Sequence, residues 1–262
     1  MALSDYKKTT FVHGDFERPV YTRTPQGSTE RGIIVIHEVP GITPSVLAFA
    51  DRLVDRGATV WLPSLSGIPG REPNVPYLAQ TAARVCVAKE FALFAANQTP
   101  PIVPWLRSLA NLLSESLGGQ PVGALGMCFS GGFALAMATE PVVRAPVLSQ
   151  PAGPLRIGAE RAGSLSISPE DLEAVKANGC NVLGLRFTGD LLVPADRFAF
   201  LARALGDRFI AVEIQSPDRS LSIKRIAHSV LTEDLIDVPG HPTHLALNQV
   251  LDFFDTQLPA TA

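Results

Sequence analysis

The chain has no stretch of 18 apolar residues, and Met1 to Phe11 hold no apolar run, so neither a membrane span nor a secretory leader is expected. Cysteine is scarce. Cys86, Cys128 and Cys180 are an odd number without the spacing of metal ligands, which argues against a disulfide framework or a zinc site and for a reducing, cytoplasmic setting. An excess of one charge is lacking too: the net charge is -3 with both signs interspersed, which leaves no basic stripe for nucleic acid and no polybasic tail for a lipid surface. Internal repeats and low-complexity tracts are absent. What remains is a chain of 262 residues, 46% of them hydrophobic. It is long enough to bury roughly 70–75% of its unfolded surface as a single domain over residues 1–262, a monomer or a homodimer, and its remaining partner class is a small molecule.

Arg31 to His37 contains Ile33, Ile34, Val35 and Ile36 without interruption, the pattern of a central parallel strand buried on both faces. Pro44 to Gly57 reads as a helix, with Pro44 early in its first turn and Gly57 beyond its end, and Ala58 to Pro63 reads as the next strand. Gly67, Pro69, Gly70, Pro73 and Pro76 make Ser64 to Pro76 a surface loop. Helices are expected over Tyr77 to Asn97 and Val103 to Leu117, on either side of the breaker Thr99-Pro100-Pro101. Further strands are expected at Pro121 to Leu125, Ala145 to Ser149, Asn181 to Phe187 and Phe209 to Ile214, and helices at Phe133 to Thr139, from Ser168 to Gly179, at Asp196 to Leu205 and at Thr243 to Leu258. Gln150 to Pro169 reads as a loop. Alternation of strands and helices implies an α/β chain with a mostly parallel central sheet and helices on both faces.

Gly126-Met127-Cys128-Phe129-Ser130-Gly131-Gly132 lies where an apolar strand passes into a helix, the setting of the nucleophile elbow of the α/β-hydrolase fold. Small residues at Gly126, Ser130, Gly131 and Gly132 let the turn form, and the register puts Cys128 at the nucleophile position, with Ser130 as its rival. A cysteine nucleophile needs a base to make thiolate and a carboxylate to orient that base. Asp190, after the strand that ends at Phe187, and His228, in a loop before the last helix, supply both in the chain order of this fold. His244 and His241 are the alternative bases, and a buried structural thiol is the alternative reading of Cys128. The oxyanion hole is expected from the backbone N–H of Phe129 and one from Glu38 or Val39. Glu38 is unusual in closing a buried apolar strand, which makes it either a solvated loop carboxylate or a group that exchanges a proton with the thiol.

Three segments resemble the dienelactone hydrolase family, the cysteine-nucleophile branch of the α/β-hydrolases: Ile34-Val35-Ile36-His37-Glu38-Val39-Pro40-Gly41-Ile42, Leu125 to Gly132, and Phe187-Thr188-Gly189-Asp190-Leu191-Leu192-Val193-Pro194. Gly57 to Pro63 is similar as well. The resemblance implies that Glu38 contacts the resting thiol and takes its proton when substrate displaces it, that Val39 and Phe129 supply the oxyanion N–H groups, and that His37 belongs to the loop. Ala227-His228-Ser229 resembles the family's histidine loop, but Val230-Leu231-Thr232 lacks the arginine that the namesake enzymes place shortly after it to hold a substrate carboxylate. Arg71, Arg84 and Arg225 are the substitutes to test.

The expected activity is hydrolysis of an ester or lactone through Cys128, His228 and Asp190 and a thioester acyl-enzyme, with no cofactor and no metal. The same residues would serve a thioesterase or acyltransferase, and a non-catalytic thiol sensor is the reading without turnover.

Overall fold

A computed structural model describes residues 2–27, 31–92, 95, 97–153 and 165–259. Strands β1 (Lys7–His13), β2 (Phe16–Arg23), β3 (Arg31–Ile36), β4 (Ala58–Pro63), β5 (Val122–Met127), β6 (Val143–Ser149), β7 (Val182–Phe187) and β8 (Phe209–Ile214) form one sheet in the order β1-β2-β4-β3-β5-β6-β7-β8. β1 and β2 pair antiparallel, β2 meets β4 antiparallel, and every other pairing is parallel. The mostly parallel sheet expected from the sequence is therefore present, extended at one edge by a hairpin that the sequence pattern did not announce.

The isoleucine-rich run forms β3 because the sheet is covered on both faces. Ile33 and Val35 enter the core cluster that also holds Val46 and Phe49 of helix α1 (Pro44–Asp55) and Val250 and Phe254 of helix α7 (Pro242–Gln257). Ile34 and Ile36 point the other way, into a second cluster with Trp105 and Leu109 of α3 (Val103–Ser116), Phe133 of α4 (Gly131–Met137), Val175 of α5 (Pro169–Asn178) and Leu201 of α6 (Ala195–Leu205). Each buried aliphatic side chain contributes about 1.5–3 kcal/mol. A polar residue in β3 would face apolar neighbours from either side.

Helix starts follow the capping chemistry of the sequence. Thr43 and Ser168 accept N–H bonds from Val46 and Asp171, and Gly179 ends α5 with φ +72°, the left-handed geometry glycine tolerates. Helix α2 corrects the expectation for Tyr77 to Asn97. It spans Val75–Val87, so Pro76 lies in its first turn, and Asn74 caps it by accepting from the Tyr77 N–H. The apolar spacing continues beyond Val87, but Ala88 turns extended and Phe91 leaves the helix line to bury its ring 5.3 Å from that of Phe129. Tertiary burial wins over helical periodicity there. The expected loop from Gln150 to Pro169 starts and ends as read; its residues 154–164 lie outside the described ones. None of the helices described is long and apolar enough to cross a membrane.

Candidate active site

The carboxyl ends of β3, β5, β6 and β7 open on one side of the sheet, and the residues that follow them meet there. β5 ends at Met127 and the chain turns at once through Cys128, whose φ is +55°, before α4 starts at Gly131. A non-glycine residue held in the left-handed region costs of order 1–3 kcal/mol, and such strain gathers at functional sites. Gly126 makes the turn possible: a Cβ there would lie 2.1 Å from the Ser130 carbonyl oxygen. At Gly131 a Cβ would meet the Cβ of Pro151 at 2.6 Å, so the segment after β6 also depends on a glycine to pack behind the turn.

Ser130 has a different job from Cys128. It is fully buried; its hydroxyl accepts from the Met127 N–H at 2.9 Å and lies 3.0 Å from the Ile36 carbonyl oxygen, to which it can donate. It fastens the turn to the end of β3 and faces away from the cavity described below. Ser130→Ala is expected to lower stability by about 1–3 kcal/mol, through partners left unpaired, while leaving the reactivity of Cys128 in place. Urea denaturation together with thiol alkylation tests this; loss of thiol reactivity in a folded variant would contradict it.

His228 follows β8 in an irregular loop, and its Nδ1 lies 2.6 Å from Asp190 Oδ2. Asp190 Oδ1 in turn accepts the Leu192 N–H at 2.9 Å, which fixes the carboxylate plane. The loop is anchored by Asp234, whose Oδ2 accepts the N–H groups of His228 and Ser229 at 2.8 and 3.1 Å. Burial is the largest influence on the imidazole and pulls its pKa down. The charge of the Cys128 sulfur and the Asp190 carboxylate together outweigh it and hold His228 well above the usual histidine value. Cys128 is thus close enough to act on the ring, yet Nε2 is buried without an aligned hydrogen-bond partner among the described residues. The thiol and the imidazole are neighbours.

His241, His244 and His37 are occupied elsewhere. His241 caps α7 and bonds Thr243 and the Leu221 carbonyl, and His244 pairs with Asp237 at 2.8 Å on the surface. His37 is fully buried, with Nε2 accepting the Leu65 N–H at 3.0 Å and Nδ1–H directed to the Glu38 carbonyl at 2.8 Å. Burial lowers its pKa to about 4, only partly opposed by that carbonyl. The unfolded chain binds a proton on this residue below about pH 6.5 and the folded one does not, so stability falls from pH 6.5 down to about 4, by about 3 kcal/mol in all. Wild type is expected to lose more stability than His37→Gln between pH 7 and 4.5 in urea titrations. Equal losses would show that His37 titrates normally.

Glu38 is 3% exposed and lines the cavity, but its carboxylate is used by the histidine loop. Ser229 donates to it at 2.7 Å, Thr232 donates to its other oxygen, and Gln150 Nε2 donates at 3.2 Å. The thiol contact implied by the resemblance is not among its hydrogen bonds. Burial raises its pKa, against the pull of the Thr232 and Ser229 hydroxyls and the charge of His228. Gln150, at φ +36°, also accepts from the Val230 N–H, so β3, β6 and the histidine loop share one buried network.

Around Cys128 lies a cavity of about 850 Å³ whose lining includes Glu38, Val39, Phe129 and His228. Its walls come from α2, through Val75, Leu78, Ala82 and Val85, and from Leu191 and Leu192 beyond Asp190. The sequence pointed to Cys128, Asp190, His228, Glu38, Val39 and Phe129, and all but Asp190, which stands behind His228, border this space. Arg71, Arg84 and Arg225 do not: Arg71 stacks on Tyr77 at 4.1 Å and, like Arg84, lies at a separate small cavity. Gln150, Ser229, Thr232 and Asp234 escaped the sequence reading, because single polar residues in irregular segments carry no periodic signal. No three His, Cys, Asp or Glu side chains among the described residues cluster to hold a metal.

The sequence profile of the dienelactone hydrolase family matches residues 19–256. No curated protein matches the sequence. Among solved structures, the chain is similar to a dienelactone hydrolase from Anabaena variabilis, at 18% identity over 97% of this chain and 99% of that one, with a TM-score of 0.64. It is also similar to an α/β serine hydrolase without a lid from Xanthomonas campestris, at 13% identity over 99% and 98% of the two chains and a TM-score of 0.56. A third likeness is to a cold-adapted esterase from an Arctic intertidal metagenomic library, at 14% identity over 97% and 93% with a TM-score of 0.58. The fold is the α/β-hydrolase fold.

Proposed function

The chain belongs to the dienelactone hydrolase family, a family of hydrolases, and from that premise we propose that it cleaves an ester or lactone bond of a small molecule with Cys128 as nucleophile, His228 as base and Asp190 as the group that orients the base. One observation carries the reading. A buried imidazole, fixed on one side by a carboxylate 2.6 Å away and with its other nitrogen unpartnered among the described residues, stands close enough to feel the sulfur of a cysteine held at φ +55° at a strand-to-helix turn.

In the proposed reaction, His228 Nε2 takes the Cys128 proton and the thiolate adds to the substrate carbonyl carbon. The carbonyl oxygen becomes an oxyanion, which the backbone N–H groups of Phe129 and Val39 are assigned to hold; each such donor contributes roughly 2.7–4 kcal/mol. As the tetrahedral intermediate collapses, the C–O bond to the leaving alcohol breaks and the imidazolium returns its proton to that oxygen. Water, deprotonated by His228, then cleaves the thioester and restores the thiol. For Glu38 we propose two parts. It anchors the histidine loop through Ser229 and Thr232, and, once released from them, it serves as the carboxylate that exchanges a proton with the thiol.

The test is to incubate the protein with activated esters, simple lactones and acyl thioesters, follow product release, and map any acyl mass to a peptide. Turnover with transient acylation of Cys128 is expected. Acylation mapped to another residue, or no turnover of any compound in the panel, would overturn the proposal, and a marked preference for thioesters would narrow it to thioesterase chemistry.

A further inference from the structure

We infer that the substrate group lodged beside Cys128 is uncharged and apolar, a chain or ring of several carbons lying between helix α2 and Leu191-Leu192; the inference rests on the proposed function and names its substrate class. Val75, Leu78, Ala82 and Val85 are spaced by three, four and three residues, so they share one face of α2, and that face lines the cavity. Leu191 and Leu192 line it from beyond Asp190. Four of these side chains remain large apolar surfaces in water: Val75 is 81% exposed, Leu78 43%, Leu191 82% and Leu192 49%.

Single exposed apolar side chains need no explanation. Four that border the cavity holding the candidate nucleophile form a patch, and such patches mark binding sites. An apolar ligand that covers them gains the transfer energy that folding left unrealised. The charges at the cavity favour the same ligand. Beside Cys128 and His228, the charged side chains of the described lining are Glu38 and Glu233, both acidic. A substrate carboxylate finds no lysine or arginine in the described lining to pair with, whereas a neutral chain needs none.

Alkylation of Cys128 by N-ethyl-, N-butyl- and N-hexylmaleimide tests this without requiring turnover. Rates are taken relative to free cysteine, and the products are mapped by peptide mass so that labelling of Cys86 in the same cavity is scored separately. The rate at Cys128 is expected to rise with chain length, by at most about fourfold per methylene (about 0.8 kcal/mol), and an N-carboxyalkylmaleimide is expected to react more slowly than the neutral reagent of equal length. Leu78→Glu and, separately, Leu192→Gln should flatten the dependence; both positions are exposed enough to accept the change without unfolding. A flat series in wild type, or faster labelling by the carboxylate reagent, overturns the inference. Ester hydrolysis run with matched acyl lengths separates the two ideas. Turnover that ignores chain length leaves the hydrolase and removes the apolar subsite, while a rising maleimide series without turnover of any ester does the reverse.

Discussion

Cys128→Ala is expected to reduce kcat on any substrate of the proposed reaction by roughly 10⁵–10⁶-fold, the scale on which removal of a triad nucleophile acts. The side chain removed is the atom that forms the acyl bond, and its neighbours offer no replacement. Ser130 is two residues away, but its oxygen is fully buried and engaged with Met127 and Ile36. Cys86 borders the same cavity from within α2, not from a strand-to-helix turn. KM is expected to change little, because the walls formed by α2 and Leu191-Leu192 are untouched. The measurement is steady-state hydrolysis with the variant at high concentration, together with a thermal melt to show that it folds. Alanine in place of a residue at φ +55° keeps the backbone strain, so a small loss of stability is expected without loss of the fold. Residual activity within tenfold of wild type would move the nucleophile away from Cys128.

How this site could be read from the sequence depends on which physical constraint each residue answers to. Cys128 was legible because a strained turn demands small residues at fixed offsets, and Gly126, Ser130, Gly131 and Gly132 supply them. β3 was legible because burial on both faces demands an unbroken apolar run. α1 and α5 announced their ends through Thr43, Ser168 and Gly179. By contrast, β1 has the exposed sequence Lys7 to Thr10 and gains its order from β2 and from Phe11, whose ring lies 5.3 Å from that of Trp105, so no pattern within it marks an element. The overrun of α2 has a related cause. Local spacing continued, and a distant cluster of Phe129 and Phe133 took Phe91 out of the helix.

The Glu38 network shows the limit more sharply. Glu38 stood out as a carboxylate closing an apolar strand, but its partners Ser229 and Thr232 come from the far side of 190 residues of chain, and Gln150 from a third element. Nothing in the spacing of those residues says that they meet. The missing arginine after His228 is of the same kind: the sequence could show that Thr232 stands in that stretch, and only the structure shows its hydroxyl on Glu38 and two acidic side chains at the cavity.

Asp190→Asn is expected to lower kcat by about 10³-fold, and the hydrogen bonds around the carboxylate say why. Oδ1 accepts the Leu192 N–H, so in the variant the amide oxygen is retained there and the amide nitrogen is presented to His228 Nδ1. An N–H donor facing Nδ1 makes that nitrogen the acceptor and moves the ring proton to Nε2. The imidazole then shows a proton, not a lone pair, to the Cys128 thiol and cannot act as its base. Loss of the carboxylate charge also lowers the His228 pKa, since Asp190 is one of the groups that hold it up. A serine triad loses about 10⁴ to the same substitution; a thiol is more acidic than a hydroxyl and leans less on its base, which places the expected loss below that figure. Alkylation of Cys128 by iodoacetamide at pH 7 reads the tautomer directly and should slow in parallel with kcat. A variant that alkylates and turns over within threefold of wild type would show that Asp190 is a structural partner of the histidine loop and not the orienting acid.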